Sequence, residues 1–215
     1  VLPYIARRPR QMCIRDRFKT FAIIFLVLFG VSAFAQTAKL NELAPDFKLV
    51  DSNGKEHSLS DFKGKLVVLE WINFECPFVK KHYNSKNMQS LQLKYTKKDV
   101  VWLSVCSSNE GKQGNFSNEE INDRVKNHNA KMSAYLIDTD GKVGKMYGAK
   151  TTPHMYVIDK SGKLVYAGAI DDKASTDLED VKEAKNYVSN ALDELLAGKN
   201  VSFQSSTSYG CSVKY

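Results

Sequence analysis

The hydrophobic pattern of this chain changes period several times, and each change marks an element. Leu66–Ile72 and Val100–Cys106 are short, continuous apolar runs, rich in valine and bounded by polar loops. Continuous rather than alternating hydrophobicity predicts strands buried on both faces of a sheet. Between them Met88, Leu91 and Tyr95 keep helical spacing, which predicts a helix over about 77–96, broken near Asn84-Ser85. Upstream, Phe47–Val50, a turn at Asp51–Gly54 and a second short run predict a hairpin, with a further turn at Asp61–Gly64. Ser117 and Glu120 have capping-box spacing and open a helix running to about Asn129. A short strand is expected over 134–137, then a one- or two-turn helix ending before Gly148. The segment TTPHMYVIDKSGKLVYAGAI predicts two antiparallel strands joined by a turn at Asp159–Gly162. Leu178, Val181, Ala184, Val188, Ala191, Leu192 and Leu195 form one helical stripe closed by Gly198. Residues 199–215 are polar and serine-rich, an extended tail. This order predicts an α/β fold: a central mixed β-sheet flanked by helices, with an N-terminal hairpin extension.

Length and composition agree with a single domain. The chain has 215 residues, 43% hydrophobic and 26% charged, enough for one core plus extensions. Residues 1–35 stand apart. Phe21–Val31 is an apolar run of signal-peptide length, preceded by Arg15, Arg17 and Lys19 and followed by the small-x-small site Ala33-Phe34-Ala35. Residues 18–35 are therefore expected to be a signal peptide cleaved after Ala35, too short in its apolar run to remain in a bilayer. Residues 1–17 do not resemble a natural leader and are expected to be non-native or untranslated-region sequence. The expected mature domain is 36–215, exported and periplasmic.

That division changes the charge. Of the formal +7, residues 1–35 carry six basic side chains against one acid, which leaves about +2 for the remainder. The other lysines are dispersed among acids, so no clustered basic face for nucleic acid is expected. Three cysteines remain, Cys76, Cys106 and Cys211, and an oxidising compartment favours one bridge among them.

Cys76 carries the clearest chemistry. It ends WINFEC and precedes Pro77, a residue suited to the first helical position, so the thiol is placed at a helix N-terminus. Unsatisfied N–H groups and the positive end of the dipole stabilise a thiolate there, and the thiolate is the nucleophile. A second cysteine three residues further on, at the spacing of the common redox pair, is absent: that position is Val79.

From APDFKLVDSNGKEHSLSDFKGK through TTPHMYVID the chain resembles the thioredoxin-like superfamily, and within it the redoxin (alkyl hydroperoxide reductase/thiol-specific antioxidant) family. Its Cys-Pro-Phe-Val segment and Gly-Cys-Ser-x-Lys ending resemble a peroxiredoxin-like branch. The resemblance covers about residues 40–215. It implies that Cys76 is the active thiol and that Pro153, after Thr152, is a cis-proline facing it. It also implies a thiol-dependent oxidoreductase that reduces peroxides or exchanges disulfides, regenerated by a thioredoxin-like protein or small thiol, with no cofactor or metal. Cys211 becomes the resolving thiol; a structural staple, or pairing with another chain, are the alternatives. Cys106 ends the second strand and is expected either near Cys76 or in plain packing. His154, after Pro153, is expected to face the thiol as base or donor, whereas His82 is turned away and His57 and His128 lie at the surface. Asn73 stands where peroxide-reducing relatives have threonine or serine three residues before the cysteine, and Arg124 is the only arginine after residue 35. Two other classes stay open: a copper carrier using Cys76, another cysteine and His154, and a redox-inert domain stapled by Cys76–Cys211.

Overall fold

The computed structural model describes residues 37–215; the expected signal peptide and the segment before it lie outside the described residues. A seven-stranded mixed sheet forms the centre. Its strands are β1 (Lys48–Asp51), β2 (Glu56–Ser58), β3 (Val67–Trp71), β4 (Val101–Cys106), β5 (Ala134–Ile137), β7 (His154–Ile158) and β8 (Leu164–Gly168). Their spatial order is β2-β1-β5-β4-β3-β7-β8. β3, β4 and β5 are parallel, and β7 runs antiparallel to β3. β6 (Thr151–Thr152) pairs separately with β9 (Cys211–Ser212).

The continuous apolar runs have the expected cause. Val68 and Trp102 face one hydrophobic core, while Val67, Leu69, Trp71, Leu103 and Val105 face the other. The first core is closed by α1 (Pro77–Asn84), α2 (Asn87–Thr96), α3 (Asn118–Asn127) and α6 (Tyr187–Leu196). The second is closed by α4 (Lys142–Tyr147) and by the lead-in around Phe47 and Leu59. The α1–α2 break falls at Ser85-Lys86, where Lys86 takes a positive φ of 61°. The capping box opening α3 forms in both directions, Ser117 N to Glu120 Oε2 and Glu120 N to Ser117 Oγ.

Two expectations are corrected. The stripe from Leu178 to Leu195 is two helices, α5 (Asp180–Glu183) and α6, parted at Ala184, whose backbone is extended. Asn186 ends the extended link by accepting from Ser189 N, and Tyr187 N bonds to Ile170 O, so α6 starts afresh against β8's exit loop. Leu178 is left exposed. His57 is buried rather than superficial: its Nε2 lies 2.8 Å from Asp51 Oδ2, and the ring stacks on Phe62. His128 is only partly exposed, stacked on Phe74.

Candidate active site at the start of the first helix

β3 delivers the chain to the site. Beyond Trp71, the side chain of Asn73 accepts from Glu75 N at 2.9 Å and donates to Gln113 O at 3.2 Å, while its carbonyl accepts from Cys76 N at 3.0 Å. This Asx-type turn sets Cys76 at the N-cap of α1 with extended backbone, φ −67° and ψ 126°, and Pro77 occupies the first turn. Gly114, with φ +96°, approaches so closely that an added Cβ would lie 2.7 Å from the Asn73 side chain.

The antiparallel register of β3 and β7 pairs Trp71 with His154, which carries the preceding cis Thr152-Pro153 bond to the same edge of the sheet. Cys76 Sγ donates to Thr152 O at 3.0 Å. Cys76 is 0% exposed. The remaining face of the sulfur is covered by the C-terminal tail, for β9 pairs Thr152 with Cys211. Gly210 makes this approach possible: its φ is +133°, and a Cβ there would fall 2.1 Å from Thr152 O.

Burial works to raise the Cys76 pKa, yet the thiol is held below its ordinary value of 9.0 by hydrogen bonds from the Cys211 side chain, from Thr152 and from the α1 backbone at Val79. The Thr152 hydroxyl is buried and otherwise unpartnered. Cys211 moves the opposite way, up to about 11, through burial and through its hydrogen bond and charge interaction with Cys76. The two thiols are thus unequal: their surroundings favour ionisation of Cys76 and disfavour that of Cys211. No disulfide joins them here, and Cys76, Cys106 and Cys211 are all free thiols.

The tail is docked along its length. Tyr209 donates its hydroxyl to Asp171 Oδ1, stands 3.2 Å from His82 Nε2 and packs on Phe78. Val213 N bonds to Lys150 O, Asn109 N to Lys214 O, and Tyr215 Oη to Ala149 O. His82 is turned away from Cys76, as its helical position predicts. It is buried and held neutral, its pKa pushed down to about 3 by burial and by Lys81.

Other expected site residues are placed elsewhere. His154 shares the face of Trp71 and Tyr156: its Nδ1 lies 3.3 Å from Lys150 N and 3.1 Å from Tyr156 Oη. Burial and Lys150 lower its pKa to about 4, and the hydrogen-bond partners of its ring are Lys150 N and Tyr156 Oη. Cys106 points its thiol to Gly114 O and Ser108 Oγ and packs in the core. Arg124 lies over the Phe116 ring and 4.0 Å from Glu75, at the rim of the thiol loop rather than on the sulfur. Among the described residues no group of three or more His, Cys, Asp or Glu side chains is gathered to hold a metal ion.

Glu70 is a residue that the sequence reading missed. It is wholly buried in β3 on the α1 side, bonded by Trp102 Nε1, Ser104 Oγ, Tyr83 Oη and Gln92 Nε2. Burial raises its pKa against those four donors. The available signal was a single acid inside an otherwise apolar strand.

The Redoxin family profile matches residues 39–188. The chain belongs to the Redoxin family. The tail that carries Cys211 lies beyond the matched segment. Among curated proteins it is 28% identical over 160 residues to the thiol-disulfide oxidoreductase ResA of Bacillus thuringiensis, covering 70% of this chain and 87% of that protein. The ResA of Bacillus subtilis is 30% identical over 144 residues, covering 67% and 75%. Among solved structures, an uncharacterised conserved protein from Geobacillus kaustophilus superposes with TM-score 0.71 and 29% identity, covering 82% of this chain and 92% of that one. A hypothetical protein from Sinorhizobium meliloti superposes with TM-score 0.69 and 25% identity, covering 84% and 96%. The fold is thioredoxin-like, a mixed sheet flanked by helices.

Proposed function

We propose that this chain is an exported thiol-disulfide oxidoreductase whose working couple is Cys76 and Cys211. One observation carries the reading: the buried Cys76 thiol at the start of α1 donates to Thr152 O, and the ladder of β6 and β9 seats Cys211 directly opposite that same Thr152. The couple replaces the missing cysteine at Val79 with one from the tail, and it cycles between dithiol and disulfide as a partner gives or takes two electrons. The curated relatives named above are thiol-disulfide oxidoreductases, which supports exchange as the reaction class.

Disulfide exchange fits this site better than peroxide reduction. Asn73 spends both ends of its amide on Glu75 N and Gln113 O, and Arg124 is committed to Glu75 and Phe116. Neither is left to polarise an O–O bond at the sulfur. Export is supported by the apolar run Phe21–Val31 and by a redox couple suited to an oxidising compartment. The partner is then a thiol reductant, protein or small molecule, with a disulfide as the other substrate.

The test is turnover of glutathione disulfide by the full chain, coupled to a dithiol reductant, beside hydrogen peroxide as the competing substrate. Cys76→Ser is expected to lose at least about a hundredfold of the exchange rate, the size of effect seen when a nucleophile is removed. Full activity in Cys76→Ser, or peroxide turnover faster than disulfide exchange, contradicts the reading.

A further inference from the structure

We propose that the outside partner is exchanged at Cys211, so that the mixed disulfide forms on the tail and Cys76 bonds only to Cys211. The proposal rests on the Cys76–Cys211 couple described above and inverts the order that the family resemblance implies, in which Cys76 attacks and Cys211 resolves.

Access is the first argument. Cys76 is 0% exposed, whereas Cys211 is partly exposed. An in-line attack on a disulfide sulfur needs a clear approach opposite the leaving sulfur, and only the tail cysteine faces outward. The second argument is occupancy. A partner that reached Cys76 directly would have to lie against the backbone of Thr152, but Cys211 already pairs with that residue. The fit leaves no gap, because even a methyl group on Gly210 would meet Thr152 O at 2.1 Å. The tail therefore holds the position that an extended partner strand would take. The third argument is anchorage on both sides of Cys211: Tyr209 is bonded to Asp171, and Val213 N to Lys150 O. Admitting a partner to Cys76 would break these contacts before any chemistry; exchange at Cys211 leaves them in place.

The chemistry runs in the same direction. When the disulfide is reduced, an outside thiolate attacks Cys211 Sγ. The Cys76–Cys211 bond breaks, and its electron pair leaves on Cys76 as a thiolate stabilised by Thr152 and the α1 N–H groups. A second outside thiolate then attacks the partner's sulfur in the mixed disulfide. It releases the partner as its own disulfide, and Cys211 leaves and takes up a proton. With a disulfide substrate the steps reverse: Cys211 passes its proton to Cys76, attacks the disulfide and expels one thiolate, which takes that proton from Cys76. Cys76 thiolate then attacks Cys211 Sγ, expels the second and restores the intramolecular bond. The lower thiol pKa belongs to Cys76, and the lower-pKa sulfur leaves faster.

The test uses the oxidised full chain with no substitution. Limiting reduced glutathione is added, and after a few seconds excess N-ethylmaleimide stops the exchange and caps the thiol released by the first attack. Peptide mapping then locates both labels. Glutathione on Cys211 and maleimide on Cys76, exceeding the opposite pattern by about tenfold or more, is the expected result. Glutathione on Cys76 in equal or greater amount overturns the proposal while leaving the redox couple intact. A mapped starting material with no Cys76–Cys211 bond overturns the couple itself, and this proposal with it.

Discussion

At the scale of single residues, the reactivity of Cys76 is a contest between desolvation and hydrogen bonding. Burial alone would make it an inert core thiol; three sources of hydrogen bonding reverse that sign. Thr152 has a double part. Its carbonyl accepts from the thiol at 3.0 Å, and its buried hydroxyl has no competing partner. Thr152→Val keeps the shape and removes only the hydroxyl. It is expected to raise the Cys76 pKa, because a donor that favours the thiolate is lost. The pH profile of thiolate absorbance near the folded midpoint checks this, and an unchanged midpoint would remove Thr152 from the account.

At the scale of elements, the decisive unit is the two-residue ladder of β6 and β9, which is too short to be recognised from sequence. Its existence depends on Gly210 meeting the Thr152 backbone without a side chain between them. Gly210→Ala is expected to lift β9 from the loop and slow formation of the Cys76–Cys211 bond by about a hundredfold, the usual cost of misplacing a reacting group by roughly 1 Å. The core should be untouched, so the thermal midpoint of the reduced protein stays within a few degrees of the parent's. Rates of disulfide formation under a fixed glutathione redox buffer decide it; an unaltered rate would mean that the tail does not need this contact.

Helix starts show both the reach and the limit of sequence reading. The α3 box was visible because Ser117 and Glu120 satisfy each other locally. The α5–α6 break was not, because the apolar spacing continues through Ala184 while Asn186 and the Tyr187–Ile170 bond restart the helix. Those are tertiary contacts, which periodicity does not record. The same holds for the site. Cys76, Pro77 and the cis-proline pair could be named from local chemistry and family resemblance. That His154 faces Tyr156 follows from strand alternation set by the β3–β7 register, which no single-sequence pattern supplies. The tail read as a loose extension because its anchors, Asp171, Lys150 and Ala149, lie far from it in sequence.

At the scale of the whole molecule, the tail completes the domain by closing the carboxyl edge of the sheet, and buried histidines tie its stability to pH. His154 has a folded pKa of about 4 against roughly 6.5 when unfolded. Below pH 6.5 the unfolded chain binds a proton that the folded protein refuses, so this contribution to stability is full above 6.5 and declines as pH falls towards 4. Denaturant unfolding at pH 5 and 6 should show His154→Gln losing about 1.4 kcal/mol per pH unit of that slope, one proton's worth. An identical slope in the variant would show that the imidazole titrates freely in the folded state.

The central claim is that Cys76 and Cys211 are one redox couple, joined across the cis-proline loop. The most direct measurement is non-reducing peptide mapping of the full chain after treatment with one equivalent of glutathione disulfide. The account predicts a single cross-linked pair, the Cys76 peptide with the Cys211 peptide, and Cys106 recovered as free thiol. Cys76 recovered free, or linked to Cys106 with Cys211 reduced, would contradict it.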